Sequence, residues 1–294
     1  MAKRTNYLNN RELLKQIHNS KMSFCYIEDK KYFYYDNIVR DLSELTKEKI
    51  DETIENKYKR LTYNKYEIEL KKWESGELKT KTKPKLSQFS VTEEEANETP
   101  LVIRLMCFDH IPSSSKKKTP KTEADYHIRC NFPPYKHFAL ENGEWHEAVR
   151  SHWEGDLETG HFSLTKGKIN DHLGKMMMLL VDRYSMRGNF RGYTYLEEMK
   201  GNALLQLSKF GLYFDESKGS NPFAYFTTTL NNAFLGVLNN EKKVQDIRDD
   251  LLQDNGYMPS YTRQFNDEKE QQEARREEYD NKVIEEQKDF GING

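Results

Sequence analysis

Polar and apolar positions change their period several times along the 294 residues, and each change marks a candidate element. Residues 9–17 (NNRELLKQI) set apolar side chains on one helical face behind an Asn suited to cap the first turn, which predicts an amphipathic helix. The run SFCYIEDKKYFYYD follows. Its two aromatic stretches flank Glu28-Asp29-Lys30-Lys31, a pattern that predicts a β-hairpin. Residues 44–80 alternate charge through ELTKEKIDETIENKYKRL and YNKYEIELKKW, the signature of a solvated helix. Residues 81–100 read as a linker. In 101–165, LVIRLMCFDHIP and DYHIRCNFPPYKHFAL are strand-like runs separated by SSSKKKTPKTEA, a lysine-rich loop that reads as solvated rather than phosphate-binding.

From residue 166 the period returns to helical. Leu173, Met176, Met177, Leu180 and Tyr184 fall on one face of a predicted helix over 171–184, and that stripe reads as core. SMRGNFRGYT forms a turn, and a second helix over 195–210 carries Leu196, Met199, Ala203 and Leu207 on one stripe with Glu198, Asn202 and Gln206 on another. FDESKGSNP turns the chain again, with Pro222 suited to an early helical position.

The helix that follows, NPFAYFTTTLNNAFLGVLNN, holds no charged residue before Glu241, although 32% of the chain is Asp, Glu, Lys or Arg. Phe223, Phe226, Leu230, Ala233, Phe234, Val237 and Leu238 recur at helical spacing as a core stripe. The opposite face carries Tyr225, Thr228, Thr229, Asn232, Gly236 and Asn239, groups that stack on bases and bond to their edges. Periodicity alone leaves open whether this second face is exposed for a ligand or packed against a neighbouring helix.

These patterns predict an α+β protein. It has an N-terminal region (1–80), a β-rich insert (81–165), an all-α helical domain (166–255) and a charged, helical C-terminal tail (256–294), with no internal repeat. Composition narrows its class. No apolar run approaches a membrane span, and MAKRTNYLNN lacks the apolar stretch of a signal peptide. Three cysteines do not make a disulfide framework and fit a reducing cytoplasm. The formal charge of −2 argues against a protein that grips nucleic acid unaided.

Candidate chemistry is sparse. Cys107-x2-His110 and His127-x2-Cys130 approach zinc spacing, but strand-like runs turn residues three apart to opposite sides, so no metal is expected. No nucleophile, phosphate-loop or metalloprotease motif occurs, and no enzyme and no cofactor are predicted.

One resemblance adds a function. EEMKGNALLQLSKFGLYFDESKGSNPFAYFTTTLNNAF resembles conserved region 2 of bacterial sigma factors, in which an acidic helix precedes an aromatic one. NYLNNRELLKQI, GNFRGYTYLEEM and FDESKGSNPFAYFT are similar to late-transcription sigma factors of large tailed myovirus phages, in a longer variant like those of cyanophages. The likeness covers roughly residues 170–245 and the first 20. It implies docking on the β′ clamp helices of host core RNA polymerase through Glu197, Glu198, Asn202 and Gln206. It implies opening of the minus-ten element, as part of the holoenzyme, by the next helix. Registering on Phe223 puts Phe226 at the usual base-stacking position, while the face argument favours its neighbour Tyr225. Thr228, Thr229 and Asn232 complete the implied DNA face, with Lys242, Lys243 and Arg248 on phosphates.

This chain departs from the pattern at three places. Thr229 and Leu230 stand where primary sigma factors carry a Trp pair, Asn232 where an Arg is expected, and residues 236–240 where a more basic stretch lies. The family's short hydrophobic tail, which binds a phage sliding clamp and the polymerase flap, is matched only by Phe290 and Ile292. The expected location is the cytoplasm of an infected bacterium, with no membrane partner. An anti-sigma or co-activator that binds polymerase without reading promoters is the alternative, and a nucleic-acid-processing enzyme using the His-rich middle is a third.

Overall fold

In the computed structural model, which describes residues 9–77, 82–114 and 119–291, helices and one main sheet form an α+β structure. Helix α1 (Asn10–Met22) is capped by Asn9, whose side chain accepts from Arg11 N. Strands β1 (Cys25–Ile27) and β2 (Asn37–Val39) follow, then α2 (Lys47–Ser75), which ends at Gly76 with φ 83°, where a residue without Cβ is unstrained. The stretch expected as linker carries a helical turn, α3 (Glu93–Asn97), tied to α2 by Lys65 and Glu95 at 2.6 Å.

Strands β3 (Leu101–Met106), β4 (Tyr135–Glu141) and β5 (Glu144–Ser151) complete a five-stranded sheet of order β1-β5-β4-β3-β2. Every pairing is antiparallel except β2 with β3. β4 and β5 meet through Asn142 (φ 53°) and Gly143 (φ 86°), the left-handed pair of an Asn-Gly hairpin turn. A two-stranded ribbon, β6 (Trp153–Glu154) with β7 (His161–Phe162), precedes the helical section.

The hairpin expected within 23–36 does not form. β1 pairs with β5, the second aromatic stretch (32–35) forms no strand, and β2, which follows it, pairs with β3 at the opposite edge of the sheet. Their partners lie far along the chain, where local pattern carries no information. The same pairings make β1 and β2 strands of the sheet formed by residues 101–151, across the boundary expected at residue 80.

Helices α4 (Asp171–Ser185), α5 (Leu196–Phe210), α6 (Pro222–Asp254) and α7 (Tyr261–Gly291) follow the predicted periods closely. Asn170 caps α4 through Leu173 N at 2.7 Å, and Asn221 caps α6 through Ala224 N with Pro222 at the first turn. One apolar core runs through the sheet and the helices. Leu13 and Ile17 of α1, Val102, Tyr135 and Val149 of the sheet, Met176 and Leu180 of α4, Leu207 of α5 and Phe226 and Phe234 of α6 belong to it together. Helix α1 packs on β1, α4 and α6, and so joins the two halves.

A charged network is buried in that junction. The Arg104 guanidinium lies between the rings of Tyr35 (4.0 Å) and Tyr135 (3.8 Å). It donates to His18 Nδ1 at 2.9 Å and to His137 Nε2 at 3.1 Å. The other nitrogen of each imidazole meets a carbonyl, that of Phe33 or Tyr32, so both rings are neutral donor–acceptors. Burial and then the Arg104 charge hold both histidines well below their ordinary pKa.

Candidate nucleic-acid and protein interface

The loop between α5 and α6 is shaped by Asp215, whose carboxylate accepts from Ser217 N (3.0 Å) and Ser217 Oγ (2.7 Å). It brings α5 and α6 side by side, and the residues implied as functional divide among three places.

The outer side of α5 exposes Glu197 and Glu198. Glu197 accepts from Lys200 Nζ at 2.8 Å, and Lys200 also lies 3.7 Å from Asp182 of α4. Leu204 and Leu205, one to two turns further on, are 36% and 50% exposed. Acidic and apolar groups therefore share this free face. Sequence reasoning passed over the two leucines, although they fall outside the stripe of Met199, Ala203 and Leu207 and are the signal that a second apolar face exists.

The other two residues implied in polymerase docking are not on that face. Asn202 and Gln206, with Phe210, face Tyr225, Thr229 and Asn232 of α6 across a cleft of about 380 Å³. Asn202 Nδ2 donates to Ala233 O at 3.1 Å, which ties it to α6. Two of the implied docking residues, Asn202 and Gln206, thus meet three of the implied DNA residues, Tyr225, Thr229 and Asn232, at one cleft, and no Asp, Glu, Lys or Arg lines it. The uncharged run of α6 faces an uncharged wall.

Tyr225 is not the free aromatic that the face argument expected. Its hydroxyl donates to Phe210 O at 2.8 Å, its ring packs on Phe214 with centroids 5.7 Å apart, and burial raises its pKa. The physical reason is α5: its end and the following turn cover the start of the second face of α6. Phe226 is fully buried in the core. Phe223, expected in the core stripe, is 38% exposed. Thr228 and Thr229 donate to Ala224 O and Tyr225 O, each at 3.0 Å, and so satisfy themselves on their own helix. Asn232 and Gly236 are exposed at the cleft rim.

Further along α6, Lys242, Lys243 and Arg248 are exposed, as are the apolar Val244, Ile247 and Leu251 on the same turns. Asp249 accepts from Ser260 N (2.9 Å) and Ser260 Oγ (2.6 Å), fixing where α7 departs. Phe290 falls in the last turn of α7, and Ile292 lies outside the described residues, as do Lys116, Lys117 and Lys118 of the lysine-rich loop.

In the middle region the metal-capable side chains are engaged separately. Cys107 and His110 lie beyond the end of β3, and residues 127–130 form no strand apart from a bridge between Ser113 and His127. Strand alternation therefore does not hold these residues apart, but His110, His127 and Cys130 each have a partner of their own. His127 stacks on Phe108 and bonds Ile111 O; Cys130 Sγ donates to Ile128 O. Among the described residues, no three His, Cys, Asp or Glu side chains cluster as a metal site. Ser151 Oγ lies 3.2 Å from His110 Nε2 and 3.4 Å from His152 Nδ1, but Ser151 and His152 are fully buried, so no path from solvent reaches the hydroxyl. Burial pushes the Cys25 thiol up to about 11 and those of Cys107 and Cys130 to about 12, which keeps all three protonated and poorly nucleophilic.

No helix among the described residues is long and apolar enough to cross a membrane. Comparison of the chain with family models, with curated proteins and with solved structures gave no match.

Proposed function

We propose that the chain is a late-transcription sigma factor of a large tailed bacteriophage, acting on host core RNA polymerase in the cytoplasm of an infected bacterium. The observation that carries the reading is the pairing of α5 and α6. The acidic–apolar free face of α5 and the uncharged cleft that α5 shares with α6 lie on helices whose sequences resemble sigma region 2. Glu197 and Glu198, joined by Leu204 and Leu205, dock on the β′ clamp helices. Thr229 and Asn232 at the cleft, with the exposed Thr228 on the neighbouring surface of α6, present hydroxyls and an amide to unpaired bases. Lys242, Lys243 and Arg248 hold the phosphate backbone, and the chain end at 290–292 reaches a sliding clamp.

Extruding a base costs a few kcal/mol, and aromatic stacking returns about 1–3 kcal/mol per base. Tyr225 stacks on a base only after giving up its bond to Phe210 O. A near-neutral chain needs no affinity of its own for duplex DNA, because polymerase supplies it.

Reconstituted run-off transcription tests the proposal. Purified chain plus host core polymerase is expected to initiate from late promoters, and Glu198→Lys to abolish initiation together with polymerase capture. Failure to initiate from any late promoter, with polymerase capture intact, would favour the second reading, a polymerase-binding regulator without promoter recognition. The burial of Phe226 and the engagement of Tyr225 are the observations on its side.

A further inference from the structure

Helix α2 has the charge pattern of a solvated helix, yet it buries two polar residues, Thr53 and Lys57. Polar groups enclosed in this way need partners. Thr53 has two: its hydroxyl donates to Lys49 O at 2.6 Å and accepts from Asn37 Nδ2 at 3.1 Å. Arg60, three residues beyond Lys57, donates to Asp36 at 2.7 Å. Lys57 is only 8% exposed, and it forms no hydrogen bond and no ion pair among the described residues. Burial lowers its pKa, and the charge of Asp36 pulls the other way. The two Asp36 oxygens, however, are taken by Arg60 and by Val102 N at 3.0 Å. The Lys57 amine is not sealed in either, because the fully enclosed polar atoms that lack partners belong to other residues. Lys57 lines a cleft of about 470 Å³ between α2, the turn from α3 into β3, and the β4–β5 hairpin.

The rest of this cleft defines what answers that charge. Ile54, Pro100, Leu101 and Leu140 give it apolar walls. Lys31 and Glu141 pair with each other at 2.7 Å and Glu98 is exposed, so two cations and two carboxylates leave the lining without net charge. A polyanion would meet those carboxylates with no surplus of positive charge to hold it. An uncharged apolar molecule would fill the walls and leave Lys57 unpaired. One carboxylate on an apolar body satisfies both, and the volume falls in the ordinary range of small-molecule sites, about 300–1,000 Å³. We propose that this cleft binds a small organic monocarboxylate, with its carboxylate on Lys57 Nζ and its apolar body against Ile54, Leu101 and Leu140. The site lies in the part of the chain to which the sigma resemblance assigns no role, and it stands whether or not the chain binds polymerase.

Hexanoate is the probe, titrated into the full chain and followed by the methyl NMR shifts of Ile54 and Leu140, with hexanamide as its uncharged counterpart. Hexanoate is expected to saturate these shifts with a Kd on the order of 1 mM. Hexanamide is expected to bind at least about tenfold more weakly, because the charge-assisted hydrogen bond is lost. Lys57→Met keeps the aliphatic stem and removes the ammonium. It is expected to weaken hexanoate at least about tenfold and to leave hexanamide unchanged. Its melting temperature should not fall, because no carboxylate is left without its partner. Should this variant fail to fold, the comparison of hexanoate with hexanamide on the wild-type chain decides alone. No binding of hexanoate, equal affinity for the two probes, or equal binding of hexanoate by the wild type and Lys57→Met would each overturn the proposal. Tighter binding of inorganic phosphate than of hexanoate would overturn the choice of a carboxylate. Much tighter binding of an N-acetylated dipeptide ending in a free leucine carboxylate would assign the cleft to a chain end and overturn the free acid as its ligand.

Discussion

Lys21 of α1 donates to Glu216 at 2.6 Å across 195 residues of chain, and both side chains are almost wholly enclosed, at 1% and 8% exposure. Lys21 Nζ also donates to Phe214 O at 2.7 Å, and Arg104 Nη1 faces the second Glu216 oxygen at 3.6 Å. The loop that sets α5 against α6 is therefore anchored on the first helix and on strand β3. Burial works against the Glu216 carboxylate, but Lys21 and Arg104 outweigh it and hold its pKa below the ordinary value. The β-containing part is thus a support for the α5–α6 cleft, in contact with the loop that shapes it.

Glu216→Gln is expected to be among the most damaging single changes in the chain. It leaves two buried cations without a carboxylate, and breaking a buried pair from one side costs about 3–5 kcal/mol. Urea unfolding followed by circular dichroism should show a clear fall in midpoint. Glu197→Gln, on the exposed face of α5, should shift stability by no more than about 0.5 kcal/mol. Equal effects from the two variants would contradict the network as described.

Acid should begin to destabilise the fold from about pH 6.5, above the ordinary carboxylate range. Burial holds His110 at about 4 and His152 at about 3, and it holds His18 and His137 well below the usual value. Their folded pKa values are depressed, so the unfolded chain takes up protons near pH 6.5 that the folded chain refuses. Stability is complete above about pH 6.5 and is lost as pH falls toward about 4, at about 1.4 kcal/mol per pH unit for each fully differential proton. His18 and His137 resist most, because protonating either would take the lone pair that accepts from Arg104. Unfolding midpoints measured at several pH values across this window should fall monotonically; a flat profile would show that these rings are not held neutral.

The elements that proved legible in the sequence are those set by local chemistry. Asn9 and Pro222 mark the starts of α1 and α6, and the buried stripes of α4 and α5 follow the 3.6-residue period. The Asn142-Gly143 turn carries an equally local signal. What failed depended on distant partners. The aromatic run 23–36 looks like a hairpin until β5 claims residues 25–27 and β3 claims residues 37–39 just beyond the run. Tyr225 lies off the main stripe of α6, but a helical wheel names a face and not the neighbour that covers it. Arg104, set within the apolar run LVIRLM, was a visible anomaly, yet Lys21 and Glu216 give no sign in sequence that they meet it.

The free face of α5 should separate docking from folding. Leu205, 50% exposed, adds little to the core, so Leu205→Gln is expected to leave the melting temperature within about a degree or two. If the face docks on a helical partner, the same change removes apolar area from that contact and should lower capture of core polymerase several-fold, in step with Glu198→Lys. Normal capture by Leu205→Gln would exclude the leucine from the interface.

Tyr225 distinguishes a packing residue from one that leaves its pocket to meet a base. Tyr225→Phe removes only the hydroxyl that donates to Phe210 O, and the lost bond is expected to lower stability by about 1 kcal/mol. The Phe210 carbonyl it leaves ends α5, where water can replace the donor, so the cost should stay near that figure. Tyr225→Ala also removes the ring packed on Phe214 and should cost about 2–4 kcal/mol. If the ring serves only packing, promoter opening by the two variants will follow their stability, and Tyr225→Phe will open promoters as well as the wild type. If the ring swings out to stack, Tyr225→Phe will open them better, because its ring leaves the cleft without breaking a hydrogen bond. Run-off yield for Tyr225→Phe, measured well below its melting temperature, decides between the two, and a yield below the wild type would contradict both.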